Sequence, residues 1–128
     1  MDFEHLSPGE WILMKELWKK HPLTMNELLE AVSPETGWSK ATVFVMLQRL
    51  EKKGKVRIFG TRNLHYYVPL IERKPVADNE TASFLKRVYD GSFGMMVAAM
   101  ADNKAISKRE LAEIREILDK YENETKER

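Results

Sequence analysis

No cysteine occurs anywhere in the 128 residues, which at once removes disulfide staples, thiolate zinc sites and a cysteine nucleophile. Histidine is scarce as well. His5, His21 and His65 lie far apart in the chain, whereas a metal site needs converging ligands. We therefore expect neither a metal nor a cofactor. No hydrophobic run approaches the roughly 18 apolar residues of a membrane span. The segment Met1-Asp2-Phe3-Glu4-His5 lacks the basic and apolar zones of a signal peptide. A cytoplasmic protein without a membrane partner is the expectation. A glycine-rich phosphate loop and a nucleophile-base pair at recognisable spacing are also missing, which argues against an enzyme. The length leaves room for one compact domain, or for a smaller one of about 70 residues with a shorter appendage.

Net charge is nearly absent too, at +1, but the average hides a strong local imbalance. Residues 1–37 carry three lysines against seven acids, a net of −4. Residues 38–63 reverse the sign: Lys40, Arg49, Lys52, Lys53, Lys55, Arg57 and Arg62 face only Glu51, a net of +6. A segment of this kind suits a polyanion.

What is present in quantity is helix punctuation. Three Ser/Thr-x-x-Glu boxes, at Ser7–Glu10, Thr24–Glu27 and Ser107–Glu110, can each satisfy orphan backbone donors at a helix start. The first opens a stripe of Trp11, Met14, Leu17 and Trp18 that stops before His21-Pro22. The second opens a short helix carrying Leu28, Leu29 and Val32. It should end at Ser33-Pro34, because proline disfavours helix in the residue before it. Ser39 can cap a third helix with Val43, Met46, Leu47 and Leu50 inward, closing at Gly54. The connection between the second and third helices is then about six residues long, more than the tight turn of a helix-turn-helix. Val56–Phe59 and His65–Val68 are β-branched or aromatic and flank Gly60–Leu64, so they read as a hairpin.

Beyond Pro69 and Pro75, which bracket a charged stretch, the chain is helical again. Asn79 can cap a helix with Phe84, Leu85, Val88 and Tyr89. Ser92 can begin another with Met95, Met96, Val97 and Met100, and the last box opens a 3-4-3 spacing of Leu111, Ile114, Leu118 and Tyr121. The fold class is thus mainly α with a small β-hairpin wing: a winged helix-turn-helix domain over residues 1–72 and a helical domain over 73–128. The second exposes more apolar surface than about 50 residues can bury alone, which implies dimerisation through Phe84, Leu85, Val88, Met96, Met100, Leu111, Ile114, Leu118 and Tyr121. The other packing open to these helices is to fold back on the first domain.

On a 100-degree wheel the third helix turns Ala41, Val45, Gln48 and Lys52 outward, with Phe44 and Arg49 on the flanks. Beside them stand Ser39, Lys40 and Thr42 at its start and Lys53 at its end. This face fits a major groove. Gln48 matches an adenine edge, Ala41, Phe44 and Val45 match thymine methyls, Arg49, Lys52, Arg57 and Arg62 match phosphates, and Lys53 is expected among the DNA-binding residues. Phe44 has a second reading, as an aromatic packed under the wing.

The same residues carry a resemblance. Ser7-Pro8-Gly9-Glu10-Trp11, Leu17-Trp18, Trp38-Ser39, Arg49-Leu50-Glu51-Lys52-Lys53-Gly54 and Tyr66-Tyr67-Val68-Pro69-Leu70 resemble the penicillinase and methicillin-resistance repressor family. So do Ser83-Phe84-Leu85, Tyr89-Asp90-Gly91-Ser92 and Leu111–Leu118, which carries the likeness along nearly the whole chain. The resemblance implies a non-enzymatic repressor, joined as a homodimer by its C-terminal helices. It would sit on an inverted-repeat operator in double-stranded DNA, often of the TACA and TGTA type. It further implies a derepressing protease as a partner, although the family's Asn-Phe cleavage bond corresponds here to Ala99-Met100. At the start of the third helix Lys40, Ala41, Thr42 and Phe44 depart from the family's usual residues, and the cysteine cluster of its copper-responsive members is missing. The competing function is a winged-helix protein-interaction module, which has no need of the basic bias at residues 38–63.

Overall fold

The computed structural model describes residues 5–126, so the leader reading at Met1–Glu4 lies outside the described residues. The first helix, α1, spans Pro8–Lys19 and is opened by a complete capping box. The Glu10 amide donates to Ser7 Oγ at 3.2 Å and the Ser7 amide to Glu10 Oε1 at 2.8 Å. Two residues, Leu23–Thr24, form β1, and Thr24 also caps α2, Met25–Thr36. Then come α3, Lys40–Lys52, and the hairpin of β2, Val56–Gly60, and β3, His65–Pro69. Three further helices follow: α4, Arg73–Tyr89; α5, Phe93–Asp102; and α6, Lys108–Lys126.

The expected end of the second helix at Ser33-Pro34 is corrected: α2 runs through Pro34 to Thr36 and ends at Gly37, which is left-handed at φ 69°. The proline costs one backbone hydrogen bond near an exposed end, and other groups close the turn. The Thr36 hydroxyl donates to the Val32 carbonyl at 2.8 Å and the Gly37 amide to the Ser33 carbonyl at 2.8 Å. The connection to α3 shrinks accordingly from about six residues to the three of Gly37–Ser39, which is a tight helix-turn-helix turn.

The sheet has a strand that the sequence reading did not contain. Its order is β1-β3-β2, antiparallel throughout, with Leu23 opposite Tyr67 on one side of β3 and Ile58 opposite Tyr67 on the other. The expected capping of a helix by Asn79 is corrected as well, because α4 begins at Arg73 and holds Asn79 in its interior. Pro75 sits in the first turn, where its missing N–H has no intrahelical partner to lose.

The residues divide into two compact units, one up to Thr81 and one from Ala82 onward. The first has a closed core. Leu13, Met14 and Leu17 of α1, Leu28 and Val32 of α2, Val43, Leu47 and Leu50 of α3, and Val56 and Tyr67 of the sheet are all buried. Trp11 and Trp18 stay at the edge of this core, edge-to-face at 5.7 Å, and Trp18 Nε1 donates to the Ile71 carbonyl at 2.8 Å. In the second unit Ser92 caps α5 and the Ser107–Glu110 box caps α6. Among the described residues none from Ala82 onward is buried.

Candidate nucleic-acid interface

Burial of Val43, Leu47 and Leu50 fixes the roll of α3 and so decides what it shows to solvent. Lys40, Ala41, Thr42, Gln48, Arg49 and Lys52 are exposed, and so are Phe44 at 38% and Val45 at 45%. At the helix start Ser39 Oγ accepts from the Thr42 amide at 3.3 Å, and the two hydroxyls lie 3.2 Å apart. The Ser39 and Thr42 side chains are thus held by the cap they form.

The wing stands beside this face. Gly60, at φ 121°, is where the hairpin bends, and a side chain there would run into the Leu64 carbonyl. Thr61 and Leu64 close the turn with paired backbone bonds of 3.0 and 3.3 Å, leaving Arg62 and Asn63 exposed at the tip. Down the hairpin, Arg57 lies over the Phe59 ring at 5.8 Å, and Phe59 stacks on Tyr66 at 5.6 Å. That contact orients the guanidinium along the hairpin surface.

Two clefts join helix to wing, and Phe44 lines both. One, of about 180 Å³, is bordered by Asn26, Lys40, Arg62, Asn63, Leu64 and His65. The other, of about 270 Å³, is bordered by Gln48, Glu51, Ile58, Phe59 and His65. Both expectations for Phe44 meet here: the ring flanks the wing and remains partly open to an incoming groove. Lys40, Phe44 and Arg62 line the first cleft, and Phe44 and Gln48 line the second.

One residue expected at the DNA stands apart. The Lys53 ammonium lies 3.0 Å from Glu10 Oε2, so its charge is engaged by α1. Burial raises the Glu10 pKa, but the Ser7 amide and the Lys53 ammonium outweigh it and hold the carboxyl below the usual carboxylate range.

Sequence reasoning missed Asn26, Phe59, Asn63, Leu64 and His65 as neighbours of the reading helix. The wing residues could have been found from their place between two strands with a basic tip. Asn26 could not, since it reaches the wing only because β1 pairs with β3.

Of the residues expected in a dimer contact, Leu85, Met96 and Ile114 are half-buried, whereas Phe84, Val88, Met100, Leu111, Leu118 and Tyr121 are exposed. Ala99-Met100 lies inside α5. No helix among the described residues is long and apolar enough to cross a membrane.

Residues 6–120 match the penicillinase repressor family. The chain is 32% identical over 122 residues to the penicillinase repressor of Bacillus licheniformis, covering 95% of each. It is 28% identical over 115 residues to the methicillin resistance regulatory protein MecI of Staphylococcus aureus strain N315, covering 90% of this chain and 94% of that one. It is also similar to the DNA-binding domain of the repressor BlaI in solution, with a TM-score of 0.49 and 32% identity over 53% of this chain and 83% of that one. The chain belongs to the penicillinase repressor family and is a DNA-binding repressor of the BlaI and MecI type, a transcription regulator and not an enzyme.

Proposed function

We propose that the protein represses transcription by holding an inverted-repeat operator as a homodimer, with one α3 in the major groove of each half-site. The observation that carries this reading is the exposed face of α3, flanked by the wing, inside a segment of net charge +6. Ser39, Lys40, Ala41, Thr42, Phe44 and Val45 meet the groove first, and Gln48 bonds an adenine edge. Arg49, Lys52, Arg57 and Arg62 hold phosphates and set the register. A protein-interaction module would gain nothing from seven bases against one acid in this segment.

Residues 1–72 bind DNA in this reading and residues 73–128 dimerise. What supports the second assignment is the apolar surface of α4 to α6, where Phe84, Val88, Met100, Leu111, Leu118 and Tyr121 are each 40% or more exposed. A second copy is the simplest cover for a self-complementary face. The protein works in the cytoplasm, where the chromosome is. A derepressing protease would meet Ala99-Met100 within α5, so a cut there requires that helix to open locally.

A gel shift on the DNA upstream of the protein's own coding sequence, beside an unrelated duplex of equal length, tests the proposal. It predicts one discrete complex on the upstream DNA at protein concentrations where the unrelated duplex stays free. Equal binding to both would overturn it.

A further inference from the structure

Glu10 does two jobs with its two oxygens. Oε1 accepts from the Ser7 amide and completes the capping box of α1, while Oε2 accepts from the Lys53 ammonium just past the end of α3. The carboxylate side chain is only 7% exposed, whereas that of Lys53 is 37% exposed. One residue earlier, Gly9 gives α3 its second point of contact. A Cβ there would lie 2.6 Å from the Met46 methyl and 3.4 Å from the Trp38 ring. The first turn of α1 therefore meets the recognition helix and its entry turn at two places about two helical turns apart: Gly9 against Met46 and Trp38, and Glu10 on Lys53.

We infer that Glu10 and Lys53 are positioning residues for DNA reading: their ion pair pins the far end of α3 onto α1, and Lys53 does not hold a phosphate. The inference rests on the DNA-binding reading and deepens it. Held at both points, α3 keeps one roll and one tilt relative to the wing. Base-edge contacts depend on that geometry far more than phosphate contacts do, since a tilted helix still meets the polyanion. Losing the clamp should therefore cost sequence preference rather than affinity for DNA in general.

Glu10→Gln separates the two jobs, because glutamine also serves at the third position of a capping box but offers Lys53 no charge. Lys53→Met removes the other partner and Lys53→Arg keeps its charge. The probes are a duplex selected by the wild-type protein from a randomised pool and an arbitrary duplex of the same length, each titrated over a range of salt. The expected result is a fall of about tenfold in the ratio of selected to arbitrary binding for Glu10→Gln and for Lys53→Met. The double variant should be no worse than either alone, Lys53→Arg should restore the ratio, and the salt slope should not change. Mere destabilisation lowers binding to both duplexes alike and leaves the ratio intact, so an unchanged ratio would overturn the inference. A salt slope reduced by about 0.9 per half-site in Lys53→Met would overturn it too, by making Lys53 a phosphate ligand. If the wild type selects no sequence at all, the DNA-binding reading falls and this inference falls with it. If the wild type selects and the ratio holds in both variants, the inference falls alone.

Discussion

Among the described residues, thirteen apolar side chains are buried in the unit up to Thr81 and none in the unit from Ala82 onward. Yet both are built from amphipathic helices with well-formed caps. The first closes its core because a three-stranded sheet packs against helices that also pack against one another. What it leaves on the surface is a charge imbalance. The second has the end of α4 with α5 and α6 and no strand among the described residues, and it leaves Phe93, Met95, Leu118 and Tyr121 at least half exposed. A finished core with unbalanced charge seeks a polyanion, and an unfinished core seeks more apolar surface. In the proposed reading, the binding of DNA and the binding of a second copy answer these two different deficits.

The comparison breaks most severely if the second unit is removed. A chain ending at Thr81 keeps every buried residue, so it should fold and run as a monomer in equilibrium sedimentation. Its affinity for a two-half-site operator should fall by about a hundredfold to ten-thousandfold, because the second half-site is no longer linked to the first. A fragment that still dimerised would place the interface in the wrong unit.

Single substitutions should divide in the same way. Leu47→Ala, in the closed core, should lower stability to urea by about 2–5 kcal/mol. Leu118→Ala, on the open face, should leave the folding of the first unit unchanged and weaken the dimer. If Leu118→Ala destabilised the first unit as much as Leu47→Ala, the two units would not be separate cores.

How much of this was legible beforehand follows from the range of each signal. The capping boxes at Ser7, Thr24 and Ser107 act within one turn, and all three form as the sequence implies. Of the inward set Val43, Met46, Leu47 and Leu50, read from its period, three are buried and Met46 is half-buried against the core. The passage of α2 through Pro34 was not legible, because a local proline preference competes with bonds from Thr36 and Gly37 that only the folded turn supplies. A two-residue strand such as β1 has no alternation to read. At the site, outward residues of α3 could be counted off a wheel. The engagement of Lys53 by Glu10 joins residues 43 positions apart, and no spacing rule reaches that far.

Smaller effects sharpen the electrostatic side. Lys52→Ala and Arg62→Ala should weaken binding to selected and arbitrary DNA alike, and each should lower the salt slope by about 0.9 per lost phosphate contact. A change of base preference at constant slope would move either residue into the reading set.

The smallest effect concerns acid. Because the Glu10 carboxyl is held below its ordinary value of 4.5, its contribution to stability is complete above that pH. It is lost as pH falls through the lower value of the folded state. Urea melts of wild type and Glu10→Gln should therefore differ at neutral pH and converge only once the pH has fallen below the lowered value of the folded state. A gap that persists there would mean that the glutamine harms something other than the ion pair.

The central claim, that a symmetric pair of α3 helices reads the operator, is tested most directly by selection from a randomised duplex pool with wild type and Gln48→Ala side by side. The account predicts an inverted repeat for the wild type. With Gln48→Ala it predicts loss of preference at one symmetric pair of positions, a cost of about 1–3 kcal/mol on the wild-type sequence and little on arbitrary DNA. A wild-type motif without two-fold symmetry, or no motif at all, would contradict it.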